Sequence, residues 1–376
     1  MIPLIPTHCP SLGAEELAAV KQVFDSRWLG EGHSTRAFEA ALREMLGVPH
    51  VVAVSSGTAA LQLALEALDL PAGSGVLVPS LTFVASVQAI LAARLVPVFC
   101  EVDAGTLQLE LEDARRRCEP HVRAVMPVHF GGSSCDVASL VALAAEHGLQ
   151  VVEDAAHAFG SSHGGRPLGT FGHAGCFSFD PIKNVTCGEG GAVATRSAVI
   201  AERVATLRTL GITSDAWSRH NGASPTAYEV RSHGWRYHLP NVNAAIGLVQ
   251  LGRLASFRTR KQGIVARYDA AFAGIPQLDR LTRPDPATLP FTYTVRVPGE
   301  RDALMAHLRR IGVGSAIEYI PNHLQPAFRE YRASLPVTER LYSEILSLPL
   351  FVEMTDDQVE RVIDAVTAFF RPGRAS

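Results

Sequence analysis

The sequence lacks an excess of charge of either sign. Its 34 lysines and arginines face 37 aspartates and glutamates, a formal net charge of −3 over 376 residues. That balance leaves no basic footprint for nucleic acid and no polybasic strip for a membrane, although local arginines can still hold an anionic substrate. Cysteine is also scarce. Cys9, Cys100, Cys118, Cys135, Cys176 and Cys187 are scattered, with no C-x-x-C pair and no histidine at zinc-partner spacing. Neither a disulfide framework nor a metal site is expected, and the six read as reduced thiols. Long apolar runs are missing as well: residues 71–93 carry no charge, but Pro79, glycines and hydroxyl residues break them into strand, turn and helix rather than a membrane span. The opening MIPLIPTHCPSLGAEE has no basic region followed by an apolar core, so no signal peptide is expected and the cytoplasm is the expected compartment.

What is present is length and apolar content, 47% hydrophobic residues, enough for one large domain and a smaller one. Between residues 48 and 195 short β-branched runs alternate with helical patterns, which predicts an α/β fold with a mostly parallel sheet sandwiched by helices. Strands are expected at 51–55, 75–79, 96–102, 124–128, 150–153, 175–179 and 191–195. Helices are expected at 59–68, 84–93, 137–147 and 198–210, with Asp136 capping the third. The stretch 211–240 is polar, dotted with aromatics and too long for a plain connector. A long amphipathic helix opens at Asn241. A boundary near Ser256 divides the chain into a large domain with an N-terminal arm, 1–255, and a small C-terminal α+β domain, 256–376. The latter is built from a strand at 292–297 and helices at Arg301 and Asp356.

Among local motifs, Gly160-Ser161-Ser162-His163-Gly164 matches the G-x-S-x-G elbow of hydrolases. The following Gly164-Gly165-Arg166-Pro167 forbids the helix an elbow requires and predicts a hairpin instead. No Walker loop, G-x-G-x-x-G or H-E-x-x-H is present. Two other signals gain meaning together. Asp154 ends an apolar strand, where open α/β sheets place ligands, and Lys183 follows an aromatic-rich strand. Singly they read as a turn residue and a solvated charge. Delivered to one crevice, a lysine and a carboxylate meet the needs of pyridoxal phosphate: the amine joins the aldehyde, and the acid holds the pyridine nitrogen protonated. Ser55-Ser56-Gly57-Thr58, at a strand-to-helix junction, supplies amides and hydroxyls for the phosphate, and Ser178 can add another hydroxyl.

The segments RWLGEGHSTRAFEAAL, AVSSGTAALQLAL, VPSLTFVAS, VVEDAAHAFGSS, GCFSFDPIKNVTCGEGGAVAT, GWRYHLPNVNAAIGLVQL and LSLPLF occur in one order along nearly the whole chain. In these the sequence resembles the DegT/StrS family of sugar aminotransferases, within the fold-type-I pyridoxal phosphate enzymes. The resemblance implies Lys183 as the cofactor-linked lysine and proton shuttle, Asp154 as the pyridinium partner and His157 beside the phenolic oxygen. It also implies Gly57, Thr58 and Ser178 at the phosphate, and Phe83 against the ring. Relatives that dehydrate sugars carry histidine at the lysine position, so Lys183 argues for transamination. Two places depart from the family pattern. Gly234-Trp235-Arg236-Tyr237-His238 has Arg236 and His238 where asparagine and arginine are usual, in a region that in the family crosses to the partner subunit and touches phosphate. Glu318-Tyr319 stands for a common His-Tyr pair, with His323 retained.

The expected activity is amino transfer from an amino acid, L-glutamate as donor, to a nucleotide-linked keto-deoxysugar, at C4, by a homodimer whose sites are completed across the interface. Pyridoxal 5′-phosphate is the expected cofactor, with pyridoxamine 5′-phosphate as its alternate form. Candidate substrate contacts are Trp28, Arg219, Tyr319 and His323, with Trp217 and Tyr228 beside them. Three other readings compete. They are a fold-type-I enzyme acting on free amino acids, for which no carboxylate-clamping arginine is identified, a non-catalytic pyridoxal phosphate-binding sensor, and a Ser162 hydrolase.

Overall fold

The computed structural model describes residues 4–212, 228–283 and 285–371. Two helices, α1 (Ala14–Ser26) and α2 (His33–Leu46), precede the sheet. Then come β1 (His50–Val54), α3 (Gly57–Ala67), β2 (Gly75–Pro79), α4 (Val84–Ala92), β3 (Val96–Cys100), α5 (Leu111–Arg116), β4 (Val122–Val125), α6 (Val137–Glu146) and β5 (Gln150–Asp154). A two-stranded hairpin, β6 (Ser162–His163) with β7 (Arg166–Pro167), occupies the place of the hydrolase-like motif, so Ser162 sits on no elbow. β8 (Ala174–Ser178), β9 (Gly191–Thr195) and α7 (Ala198–Leu207) complete this part.

The seven strands form one sheet in the order β1-β9-β8-β5-β4-β2-β3. β9 alone runs against the other six, pairing antiparallel with β1 and β8. Alternation of strand and crossover helix explains the parallel majority, and burial of both faces explains why the strands are continuously apolar. One face packs against α3, α4 and α7 through Leu63, Val78, Ile90, Val152 and Val204. The other packs around Phe38, Phe177, Phe179 and Leu254. The carboxyl ends of β1, β2, β4, β5 and β8 open on one edge, so the residues that follow them share a crevice.

α8 (Asn241–Phe272) runs unbroken through Ser256. After it come β10 (Asp279–Arg280), β11 (Tyr293–Arg296), α9 (Arg301–Arg310), α10 (Pro336–Glu344), β12 (Ile345–Leu348) and α11 (Asp356–Phe370). Leu251 and Leu254 of α8 belong to the core of the large sheet. Its Ile264, Tyr268 and Phe272 belong to a second core shared with β11, α9, β12 and α11. The three-stranded sheet β10-β11-β12 carries that core. We propose that the domain boundary lies inside α8, with the helix as a shared beam. The N-terminal arm crosses this boundary: Ile5 is buried in the C-terminal core and exchanges backbone hydrogen bonds with Gly312 and Gly314. All six cysteines are free thiols. No helix among the described residues is long and apolar enough to cross a membrane.

Candidate active site

A cavity of about 230 Å³ opens where the strand ends converge, lined by Gly57, Thr58, Phe83, Asp154, His157, Ser178, Lys183, Glu318 and Tyr319 among others. Asp154 is the last residue of β5 and is buried. Its Oδ2 accepts a hydrogen bond from Ser86 Oγ at 2.7 Å, and its Oδ1 accepts from the Ala156 amide at 3.1 Å. Ser86 is in turn 2.9 Å from Thr82 Oγ1. Burial pushes the Asp154 carboxyl above its ordinary pKa, opposed by those two hydrogen bonds and by the charge of Lys183. No cation among the described residues touches this carboxylate, which suits a protonated ring nitrogen.

Lys183 is aimed by the turn that follows β8, where its amide donates to the Asp180 carbonyl at 3.1 Å. Its Nζ lies 4.4 Å from the centroid of the Phe291 ring. Burial lowers the amine below the usual lysine range, and Asp180, Asp154 and Glu318 pull it partly back. His157 stacks on the same ring, centroids 4.1 Å apart, and its Nε2 is 3.1 Å from the Tyr319 hydroxyl. Burial first, then the charges of Lys183, His8 and Lys261, hold His157 well below its ordinary pKa, so it is neutral. Phe83, 53% exposed, sits at the mouth with its ring 5.5 Å from that of Tyr319.

The other end of the cavity is the amino terminus of α3. Ser56 caps the helix by accepting from the Ala59 amide at 3.1 Å, and the first amides, those of Gly57 and Thr58, have no intrahelical partner. Close packing places them. A Cβ on Gly57 would lie 2.7 Å from Ser178 Cβ, and one on Gly191 would lie 2.2 Å from the Ser56 carbonyl oxygen. The hydroxyls of Ser56, Thr58 and Ser178 surround this end. An anion cradle at one end, a carboxylate at the other and an amine between them fit pyridoxal phosphate.

The structure thus brings together Gly57, Thr58, Phe83, Asp154, His157, Ser178, Lys183 and Tyr319. Of the other candidates, Trp28, Tyr228, Arg236 and His323 do not line this cavity of their own chain. His323 is buried beside it, with Nδ1 2.7 Å from Ser80 Oγ and Nε2 3.2 Å from Glu339 Oε1, so its ring braces the loop after β2. Trp28 donates from Nε1 to the Glu31 carbonyl at 2.8 Å and borders a different cleft, between α1, α2 and α8. Arg236 is exposed in a segment that continues the sheet edge, where the Ser55 amide donates to the Tyr237 carbonyl at 2.7 Å. Tyr228 is exposed, and Trp217 and Arg219 lie outside the described residues. Ser86, Asp180, Glu189 and Glu318 join the site without having been candidates from the sequence. No sequence signal sets Ser86 apart: α4 also carries the polar Gln88, and the carboxylate that Ser86 serves is 68 residues away.

The profile of the DegT/DnrJ/EryC1/StrS aminotransferase family matches residues 10–367. The chain belongs to this family. Solved structures agree in fold over the full length. The aminotransferase TlmJ from Streptoalloteichus hindustanus is 37% identical, with 97% of this chain and 98% of that one covered and a TM-score of 0.91. The sugar aminotransferase CalS13 from Micromonospora echinospora is 30% identical, covering 97% and 100%, with a TM-score of 0.89. A third, Spr1654 from Streptococcus pneumoniae, has a pyridoxal phosphate form that is 26% identical, covering 97% and 98%, with a TM-score of 0.90. A pyridoxamine phosphate form of it is also known. The fold of the family is the fold-type-I aminotransferase fold, and the cavity at the strand ends is where its chemistry is to be sought.

Proposed function

We propose that the protein is a pyridoxal 5′-phosphate-dependent aminotransferase that moves an amino group from L-glutamate to the C4 keto carbon of a nucleotide-linked deoxysugar. It works in the cytoplasm as a homodimer. The observation that carries this reading is the convergence of Lys183, Asp154 and the α3 amino terminus on one cavity.

When bound, the cofactor supplies an aldehyde that carries the amino group and a ring that takes up the electrons of a broken C–H bond. The chain does the rest. Asp154, braced by Ser86, keeps the ring nitrogen protonated. Burial favours the uncharged amine of Lys183, the form that attacks a carbonyl. Its Nζ would move a proton from the donor's α-carbon to the carbon of the cofactor's former aldehyde in the first half-reaction, and from that carbon to the sugar's C4 in the second. His157 offers a neutral hydrogen-bonding edge, held by Tyr319. Phe83 lies at the mouth, where a flat apolar face fixes the plane of the reacting bond. Gly57, Thr58 and Ser178 hold the phosphate. Exposed Arg236 and the Trp28 cleft are offered to the partner subunit, whose pocket they extend, and His323 supports the sugar side by fixing Ser80.

The test is direct. Purified protein with cofactor is expected to be yellow, borohydride to attach the cofactor to the peptide containing Lys183, and glutamate to bleach the colour. Incubation with nucleotide 3-keto and 4-keto sugars is expected to yield an amino sugar by mass spectrometry. A preparation that stays colourless and inactive with added cofactor sinks the enzyme reading, and turnover of free amino acids alone sinks the sugar substrate.

A further inference from the structure

The chain contains only three lysines, Lys21, Lys183 and Lys261, against 31 arginines. Lys21 is exposed on α1, paired with Asp25. The other two meet at the same phenyl ring: Lys183 Nζ is 4.4 Å and Lys261 Nζ 5.8 Å from the centroid of Phe291. Lys261 comes from α8, is 4% exposed, and plays no part in the chemistry above. Its Nζ donates to Asn184 Oδ1, on the residue next to Lys183, at 2.8 Å, and to the Phe291 carbonyl at 3.2 Å. Neither acceptor is charged. Among the described residues the one carboxylate that acts on both amines is Glu318, buried and anchored from behind by His8 Nε2 at 3.1 Å and by the Ser347 hydroxyl at 3.0 Å.

Two cations cannot share one buried countercharge without strong mutual repulsion, and the first to yield is the amine with less compensation. Lys183 also faces Asp154 and Asp180, with neutral His157 and Tyr319 alongside, whereas Lys261 faces only Glu318 in opposition to Lys183. An arginine at 261 would keep its charge at any working pH, and a lysine need not. We propose that Lys261 is a titrating partner of Lys183, giving up its proton while Lys183 is charged and taking one up when Lys183 is neutral. In this way one cation faces Glu318 throughout turnover. Consistent with this, burial and the charge of Lys183, against the pull of Glu318, bring Lys261 to about 7.

The proposal makes Lys261 a positioning residue for the lysine of the proposed mechanism and rests on that reading for its use, but its test does not require cofactor. The full-length chain, stripped of cofactor and labelled with ¹³Cε-lysine, gives three resonances to follow with pH. Lys261 is expected to titrate near 7. In Lys183→Met the Lys261 midpoint is expected to rise by about one pH unit, and in Lys261→Arg the Lys183 midpoint to fall by about as much. Glu318→Gln is expected to lower the Lys261 midpoint. A Lys261 resonance that titrates in the ordinary lysine range, or one that Lys183→Met leaves in place, overturns the proposal. Lys183→Met alters a cavity wall and decides the matter even if a variant at 261 or 318 does not fold. Linked titration in a chain that never binds pyridoxal phosphate would sink only the functional reading, and a yellow, active enzyme with unlinked lysines would sink only the linkage.

Discussion

Asp154 has a role that no neighbour can assume. Its two hydrogen-bond donors are the Ser86 hydroxyl and a backbone amide, both neutral, so the full positive charge it gains in contact is that of a bound ligand. Asp154→Asn keeps the shape and both nearby donors but cannot hold a ring nitrogen in its protonated form. Its kcat is expected to fall by about 10²–10³-fold, the range for losing one preorganised electrostatic contact in a dry site, while borohydride still attaches the cofactor to Lys183. Steady-state rates beside peptide mass spectrometry check the two halves of that statement. Lys183 and Asp154 are legible in the sequence because each stands at or just beyond the end of a strand whose pattern is unmistakable. Lys261, His8 and Ser86 are not, since what matters about them is a contact made across 77, 310 and 68 residues of chain.

At the scale of elements, the amino terminus of α3 is a socket whose depth is set by glycine. Gly57→Ala would drive a methyl group to 2.7 Å from Ser178 Cβ, so the helix must withdraw from β8 and carry its free amides out of range. Affinity for pyridoxal phosphate, followed by titration of the yellow band, is expected to weaken by about tenfold or more, since losing one charge-assisted hydrogen bond alone costs about 1.5–3 kcal/mol. Other elements show what pattern reading can and cannot do. Six of the seven strands of the large sheet begin within one residue of where apolar runs predict them, because strands buried on both faces announce themselves, whereas β4, expected at 124–128, spans Val122–Val125. The reversed direction of β9 is hidden, since direction is fixed by what pairs with a strand and not by its composition. α1 and α2 escape pattern reading for a different reason: their N-caps are Gly13 and Gly32, which carry no side-chain oxygen to signal a helix start. α7, expected to reach residue 210, ends at Leu207, and Leu210 turns to a positive φ of 65°.

For the molecule as a whole, α8 ties the two cores together and Lys261 is buried in its middle, so the titration of one amine is coupled to folding. Unfolded, that amine has the ordinary lysine value of about 10.4. Folded, burial brings it to about 7. Between those values the unfolded chain binds the extra proton, so this group makes stability rise as pH increases from about 7, and below 7 the folded state bears the full penalty of a buried ammonium. Lys261→Met is therefore expected to flatten the rise in urea midpoint between pH 7 and pH 9 relative to the parent. Comparing the two proteins in the same buffers cancels the groups they share.

The proposed dimer is tested at the same scale. Arg236 is exposed and lines no part of its own chain's cavity, so its proposed role in phosphate binding has meaning only if it serves a partner's site. Arg236→Ala and Lys183→Ala should each be impaired as homodimers. In a mixed dimer, one site combines an intact Lys183 with an intact Arg236 from the other subunit, while the second site carries both lesions. Random exchange of equal amounts is then expected to restore about a quarter of parental activity, since half the dimers are mixed and half their sites are whole. If Arg236 served its own chain, the site that keeps Lys183 would lack the arginine whichever partner it met, and mixing would restore nothing. Assays before and after subunit exchange separate the two arrangements by rate alone.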